Sequence, residues 1–79
     1  MRAKVQVFLK PGVLDVQGKA IEGALHGLGF GGVDHVRVGK TIEFDVPGDD
    51  RAQAEADVKT MCEKLLANTV IESYRVELA

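Results

Sequence analysis

The chain has 79 residues, 46% of them hydrophobic and 28% charged, and a net charge of −2. One core is all that such a length can enclose, since a domain of about 60 residues buries only about 60% of the surface its unfolded chain exposes. The charge leaves no electrostatic footprint for nucleic acid or anionic membrane, the single Cys62 excludes an internal disulfide and a Cys-pair metal site, and no apolar run approaches the ~18 residues of a membrane span.

From Arg2 to Lys10 the residues alternate, with Val5, Val7 and Leu9 on one side and Lys4, Gln6, Phe8 and Lys10 on the other. That period of two predicts a half-buried strand. It follows Met1 directly, with no leader-like apolar segment, so the expectation is a cytoplasmic protein with a single domain over residues 1–79. Pro11 and Gly12 break the strand. Asp15 is placed to cap a helix reaching about Leu28, along which Ala20, Ile21, Ala24, Leu25 and Leu28 recur at helical spacing. Gly29 suits the left-handed position after its end, with Phe30 packing back. Gly18, Gly23 and Gly27 each cost this helix about 1 kcal/mol relative to Ala, which points to close approach either to the sheet or to another subunit.

Residues 33–46 form two alternating runs that meet at Gly39 and Lys40 and predict a β-hairpin. A two-residue loop would set Val36 opposite Glu43. A three-residue loop, Gly39 to Thr41, pairs Val38 with Ile42 and Val36 with Phe44 on one face, and Arg37 with Glu43 and His35 with Asp45 on the other. Pro47 and Gly48 then turn the chain, and Asp50 with Gln53 makes a variant capping box. The helix that follows carries Ala54, Val58, Met61, Cys62 and Leu65 on one stripe, with Glu55 and Lys59 spaced for an ion pair. Asn68 suits a left-handed helix terminus. Ser73 to Leu78 alternates again, Tyr74, Val76 and Leu78 against Arg75 and Glu77.

The order strand, helix, strand, strand, helix, strand predicts an α+β fold of two layers, βαββαβ. Its two helices would cover one face of an antiparallel four-stranded sheet, the ferredoxin-like plan. The other face would stay polar, open to solvent or to a partner. A chain this small, with glycines in one helix, gains from burial by self-association.

Little in the sequence supports chemistry of its own. Val38-Gly39-Lys40-Thr41 ends like a phosphate-binding loop, but Asp34 stands where that motif needs its first glycine and a strand follows where it needs a helix. His26 and His35 sit on different elements with no ligand at metal spacing. Cys62 falls on the core stripe of its helix, as a packed thiol does. No serine, histidine and aspartate suggest a triad, and no aromatic pair on the central strands supports RNA binding.

Several blocks nevertheless share an order and spacing with a known family. They are Leu9-Lys10-Pro11-Gly12-Val13-Leu14-Asp15, Gln17-Gly18, Leu28-Gly29-Phe30, Val36 to Lys40 with Ile42-Glu43, Cys62 to Asn68, and Val70-Ile71-Glu72 with Tyr74. Nearly end to end the chain resembles PurS, the small subunit of phosphoribosylformylglycinamidine synthase. It departs from the family pattern at Val16 and Thr69, where Pro is common, and Pro there only stiffens the backbone.

The resemblance implies a role without an active site. A glutaminase subunit, PurQ, releases ammonia, and a synthetase subunit, PurL, uses ATP to convert formylglycinamide ribonucleotide to the amidine in purine biosynthesis. PurS bridges the two as a homodimer or homotetramer and helps keep ammonia from bulk water. No cofactor is expected on this chain, ATP and Mg belonging to the synthetase. Lys10, Asp15, Arg37 and Lys40 are the candidate contact residues, being polar and placed where packing alone does not require them. The alternative of another class is a small-molecule-sensing domain of the ACT type, which shares the plan. An acylphosphatase-like enzyme would need a phosphate-cradling Arg loop that Lys10-Pro11-Gly12 does not provide.

Overall fold

The alternating first segment becomes the central strand β1, Arg2–Leu9, of the computed structural model, which describes residues 1–79. It is followed by helix α1 (Val16–Gly27), strand β2 (Gly39–Asp45), helix α2 (Arg51–Met61), a π-helical turn (Cys62–Leu66) and strand β3 (Glu72–Leu78). Both neighbours pair antiparallel with β1, in the order β2-β1-β3. The register places Val5 between Ile42 and Val76, and Ala3 between Phe44 and Leu78, on the helix side. On the other side Lys4 lies between Glu43 and Glu77. Opposite-charge neighbours of this kind contribute roughly 0.2–1 kcal/mol per pair.

The sheet has three strands, not the expected four, because residues 33–38 do not form the first arm of a hairpin. Their backbone donors go to carboxylates instead of a ladder: Val36 N–H to Glu22 Oε1 at 3.2 Å and Val38 N–H to Asp15 Oδ2 at 2.7 Å. His35 has φ 54°, a left-handed conformation that no continuous strand contains. The expected pairs Arg37–Glu43 and His35–Asp45 are therefore absent. Asp45 meets Arg2 at 3.3 Å across β1 and β2, and His35 meets Asp34 at 3.3 Å. Gly39 and Lys40, read as the hairpin loop, are the first residues of β2, opposite Phe8 and Val7.

Helix α2 begins as expected, with Gln53 N–H bonded to Asp50 Oδ1 at 3.2 Å, and carries the Lys59–Glu55 pair at 3.2 Å. Gln53 does not close the box, since its side chain turns to Asp57 Oδ1 at 2.9 Å. Ala54, Val58 and Cys62 are buried, but Met61 and Leu65 of the predicted stripe are exposed, Leu65 by 82%. For Leu65 the reason is the π turn, closed by Ala67 N–H on Cys62 O at 3.0 Å; Met61 precedes that turn. Its extra residue rotates Leu65 outward and leaves Leu66 against the core. The expected left-handed Asn68 is not found. Ala67 ends the helix in an extended conformation, and Asn68 Oδ1 accepts from Val70 N–H at 3.2 Å in an Asx turn.

The core consists of Ala3, Val5, Val7, Val46, Ala54, Val58, Cys62 and Ala67, every one a small side chain. It lies between β1 and α2, and α1 takes no part in it. Only Gly18 of α1 is buried, while Ile21, Leu28 and Phe30 are 45%, 73% and 59% exposed. The helix stands off the sheet as an arm. The radius of gyration is accordingly 16.0 Å, against about 12 Å for a compact domain of this length. The arm is well terminated all the same: Gly29 N–H bonds His26 O and Phe30 N–H bonds Leu25 O, both at 3.0 Å, around Gly29 at φ 102°. That is the predicted left-handed end.

The α1 glycines are not alike. A Cβ at Gly18 would run into the Val36 carbonyl, whereas one at Gly23 meets nothing within 4 Å. Gly23 also lies on the opposite side of the helix from Ile21, Leu25 and Leu28. Gly23→Ala is expected to slow amide exchange in α1, with a gain of about 0.5–1 kcal/mol in helix stability. Gly18→Ala is expected to speed exchange throughout the helix. The reverse order of the two would contradict this placement of α1.

Candidate functional site

The four sequence-predicted residues, Lys10, Asp15, Arg37 and Lys40, come together at one end of the sheet, where β1 leaves, α1 begins and β2 enters. Lys10-Pro11-Gly12-Val13 forms a turn, closed by Val13 N–H on Lys10 O at 3.1 Å, with Gly12 at φ 88° in the position that requires glycine. Asp15 then caps α1: its Oδ1 accepts from Gly18 N–H at 2.7 Å. Its second oxygen takes the Val38 N–H at 2.7 Å, so one carboxylate ties the helix start to the entry of β2.

Asp15 is only 5% exposed and Arg37 keeps its guanidinium at the surface. From there Arg37 donates to the carbonyls of Val13, Lys10 and Leu9 at 3.2, 3.2 and 3.3 Å. Lys10 is half-buried, its N–H on Ile71 O at 2.9 Å, while Lys40 is exposed and lines a cleft of about 250 Å³ together with Val7, Phe8, Asp15 and Gln17. Glu22, which sequence reasoning did not single out, is part of the same assembly through Val36 N–H. Only its helical spacing from Gly18, one turn on, marked it beforehand.

The hydrogen bonds from Val38 and Gly18 hold the Asp15 carboxyl below its ordinary value of 3.8, with the Arg37 charge acting the same way and burial opposing. A carboxylate depressed in the folded state contributes stability that is complete above its unfolded value, near pH 4, and is lost as pH falls through the folded one. Asp15 is therefore expected to titrate by NMR below 3.8, with the Gly18 and Val38 amide signals moving in step. A midpoint at or above that value would contradict the two bonds.

The remaining reactive groups are arranged for packing. Burial, with the neighbouring Glu63 charge, pushes the Cys62 thiol up, which disfavours the nucleophilic thiolate. Tyr74 donates its hydroxyl proton to Glu63 Oε1 at 2.9 Å and is held protonated by that bond. His26 Nε2 lies 2.7 Å from Val33 O, and no three His, Cys, Asp or Glu side chains converge. What this site can do is fix backbone and present charge.

The family model described as "PurS: Phosphoribosylformylglycinamidine (FGAM) synthase" matches residues 2–79. The chain is 51% identical over 77 residues to the phosphoribosylformylglycinamidine synthase subunit PurS of Bacillus subtilis, covering 98% of this chain and 90% of that protein. It is 39% identical over 77 residues to the subunit of Methanocaldococcus jannaschii, covering 98% and 93%. The solved B. subtilis PurS structure superposes with a TM-score of 0.86 over 96% of this chain and 94% of that one, at 51% identity. A chain in the structure of PurLQS from Thermotoga maritima gives 0.87 at 33% identity, covering 96% and 93%.

Proposed function

The chain belongs to the PurS family of phosphoribosylformylglycinamidine synthase subunits in purine biosynthesis, and from this we propose that it serves that enzyme complex as a self-associating structural subunit with no active site of its own. The observation that carries the reading is a pair of unfinished surfaces. The apolar side of α1 is uncovered, and on the inner face of β2 Ile42 and Phe44 are only half-buried because no second helix lies over them. A second copy of the chain completes both.

The complex works in the cytoplasm, and the partners are a synthetase and a glutaminase subunit, in line with the solved PurLQS assembly that holds a chain of this fold. The synthetase binds ATP and Mg and converts formylglycinamide ribonucleotide to the amidine, with ammonia drawn from glutamine. This chain bridges the two and supports the transfer. Lys10, Arg37 and Lys40 supply charge toward the larger subunits, and Asp15 acts from beneath by fixing the backbone that carries them. A ligand-sensing domain of the ACT type has no observation in its favour once the family match spans residues 2–79.

Mixing purified synthetase and glutaminase subunits with ATP and substrate, with and without this chain, tests the role. Amidine formation from glutamine is expected to depend on the chain, and formation from added ammonium far less. Full glutamine-driven rate without the chain, or turnover by the chain alone, would overturn it.

A further inference from the structure

Nothing in chain length keeps α1 away from its own sheet. Residues 10–15 connect β1 to α1, and connections of about 2–6 residues routinely let a helix fold back over the strand it follows. What stands between the two arrangements is a polar joint. Asp15 binds Gly18 N–H with one oxygen and Val38 N–H with the other, and Glu22 binds Val36 N–H. Arg37 grips three carbonyls of the connection that a swing of the helix would have to bend. Gly18 lets the helix backbone lie against the Val36 carbonyl, where any side chain would collide. The contacts that fix α1 are thus polar, most of them at its first two turns with His26 Nε2 2.7 Å from Val33 O at its last, while its apolar residues Ile21 and Leu28 are exposed.

The geometry points to Asp15 and Arg37 as positioning residues that hold α1 off its own sheet, so that the side bearing Ile21, Leu25 and Leu28 is presented to a second copy of this chain. This rests on the self-associating role argued above and names the device behind it. The size of the uncovered surface fits one occupant of that kind. The chain exposes 5474 Å² at a mass of 8.5 kDa, whereas a compact monomer of that mass exposes about 4,700 Å². The excess of about 800 Å² equals one partner's share of a standard protein interface.

Asp15→Asn separates the joint from the helix cap. Asparagine keeps one oxygen for Gly18 N–H, and its amide group cannot accept from Val38 N–H. Arg37→Gln removes the grip on the connection without touching α1. In each variant, amide exchange at Val38 and along α1 is expected to speed up and dimer association by sedimentation equilibrium to weaken, each about tenfold for the one bond lost in Asp15→Asn and no less for the three lost in Arg37→Gln. Protection in β1 should be unchanged, which a general loss of stability would not leave so. Faster exchange in α1 with an unaltered dissociation constant overturns the positioning role while leaving self-association standing. Unaltered exchange at Val38 overturns the joint itself. An unmodified chain that stays monomeric overturns the self-association reading, and the positioning role with it.

Discussion

A chain carrying Ile21→Asp and Leu28→Asp together is expected to fold and to fail to associate. Both side chains are exposed in the single chain, Ile21 by 45% and Leu28 by 73%, and neither belongs to the core. Charging them therefore costs the monomer little, because α2 and the sheet hold together without α1. In a dimer they are covered, and each loses the roughly 1.5–3 kcal/mol that burying a large apolar side chain contributes. The homodimer carries four such losses, two from each chain, and association weakens by at least about 10,000-fold. Sedimentation equilibrium reads the association and the melting of the far-ultraviolet circular dichroism reads the fold. A variant that still dimerises, or one whose sheet melts with its arm, would contradict the division of this molecule into body and arm.

Val58→Asp is expected to do the opposite and abolish folding. Val58 is fully buried and packs from α2 into a core that also holds Val5, Val7 and Cys62. A stability of about 0.05–0.15 kcal/mol per residue gives a chain of 79 residues only about 4–12 kcal/mol in all. An unpaired carboxylate in that position costs upwards of about 4 kcal/mol. With no large side chain among the core residues, there is no spare burial to absorb the loss. Val58→Ala, a cavity change, is expected to cost about 1–3 kcal/mol and leave the fold intact. Urea titration orders the two, and equal midpoints would show that α2 is not where the stability lies.

The elements with strong local signals were readable in the sequence: β1 from its alternation, α1 from Asp15 and the Gly29-Phe30 exit, and the start of α2 from Asp50. The hairpin was not. Val33, Val36 and Val38 look like one arm of it, but the donors that would have built its ladder are taken by Asp15 and Glu22, residues 23 and 14 positions earlier in the chain than Val38 and Val36. No local pattern announces a competition of that kind. Leu65 was misplaced for a different reason, since a single π turn shifts the helical period and propensities do not reveal it. Of the candidate site, Asp15 was legible as a helix cap. Its second bond was not, and neither was the reach of Arg37, which required knowing that the connection after β1 passes beside residue 37.

The single chain is an incomplete unit, and its mass in solution tests this most directly. Sedimentation equilibrium of the unmodified chain at micromolar concentration is expected to give at least twice the chain mass of 8.5 kDa. A particle of one chain mass at that concentration, with α1 folded and its apolar side in water, would contradict it.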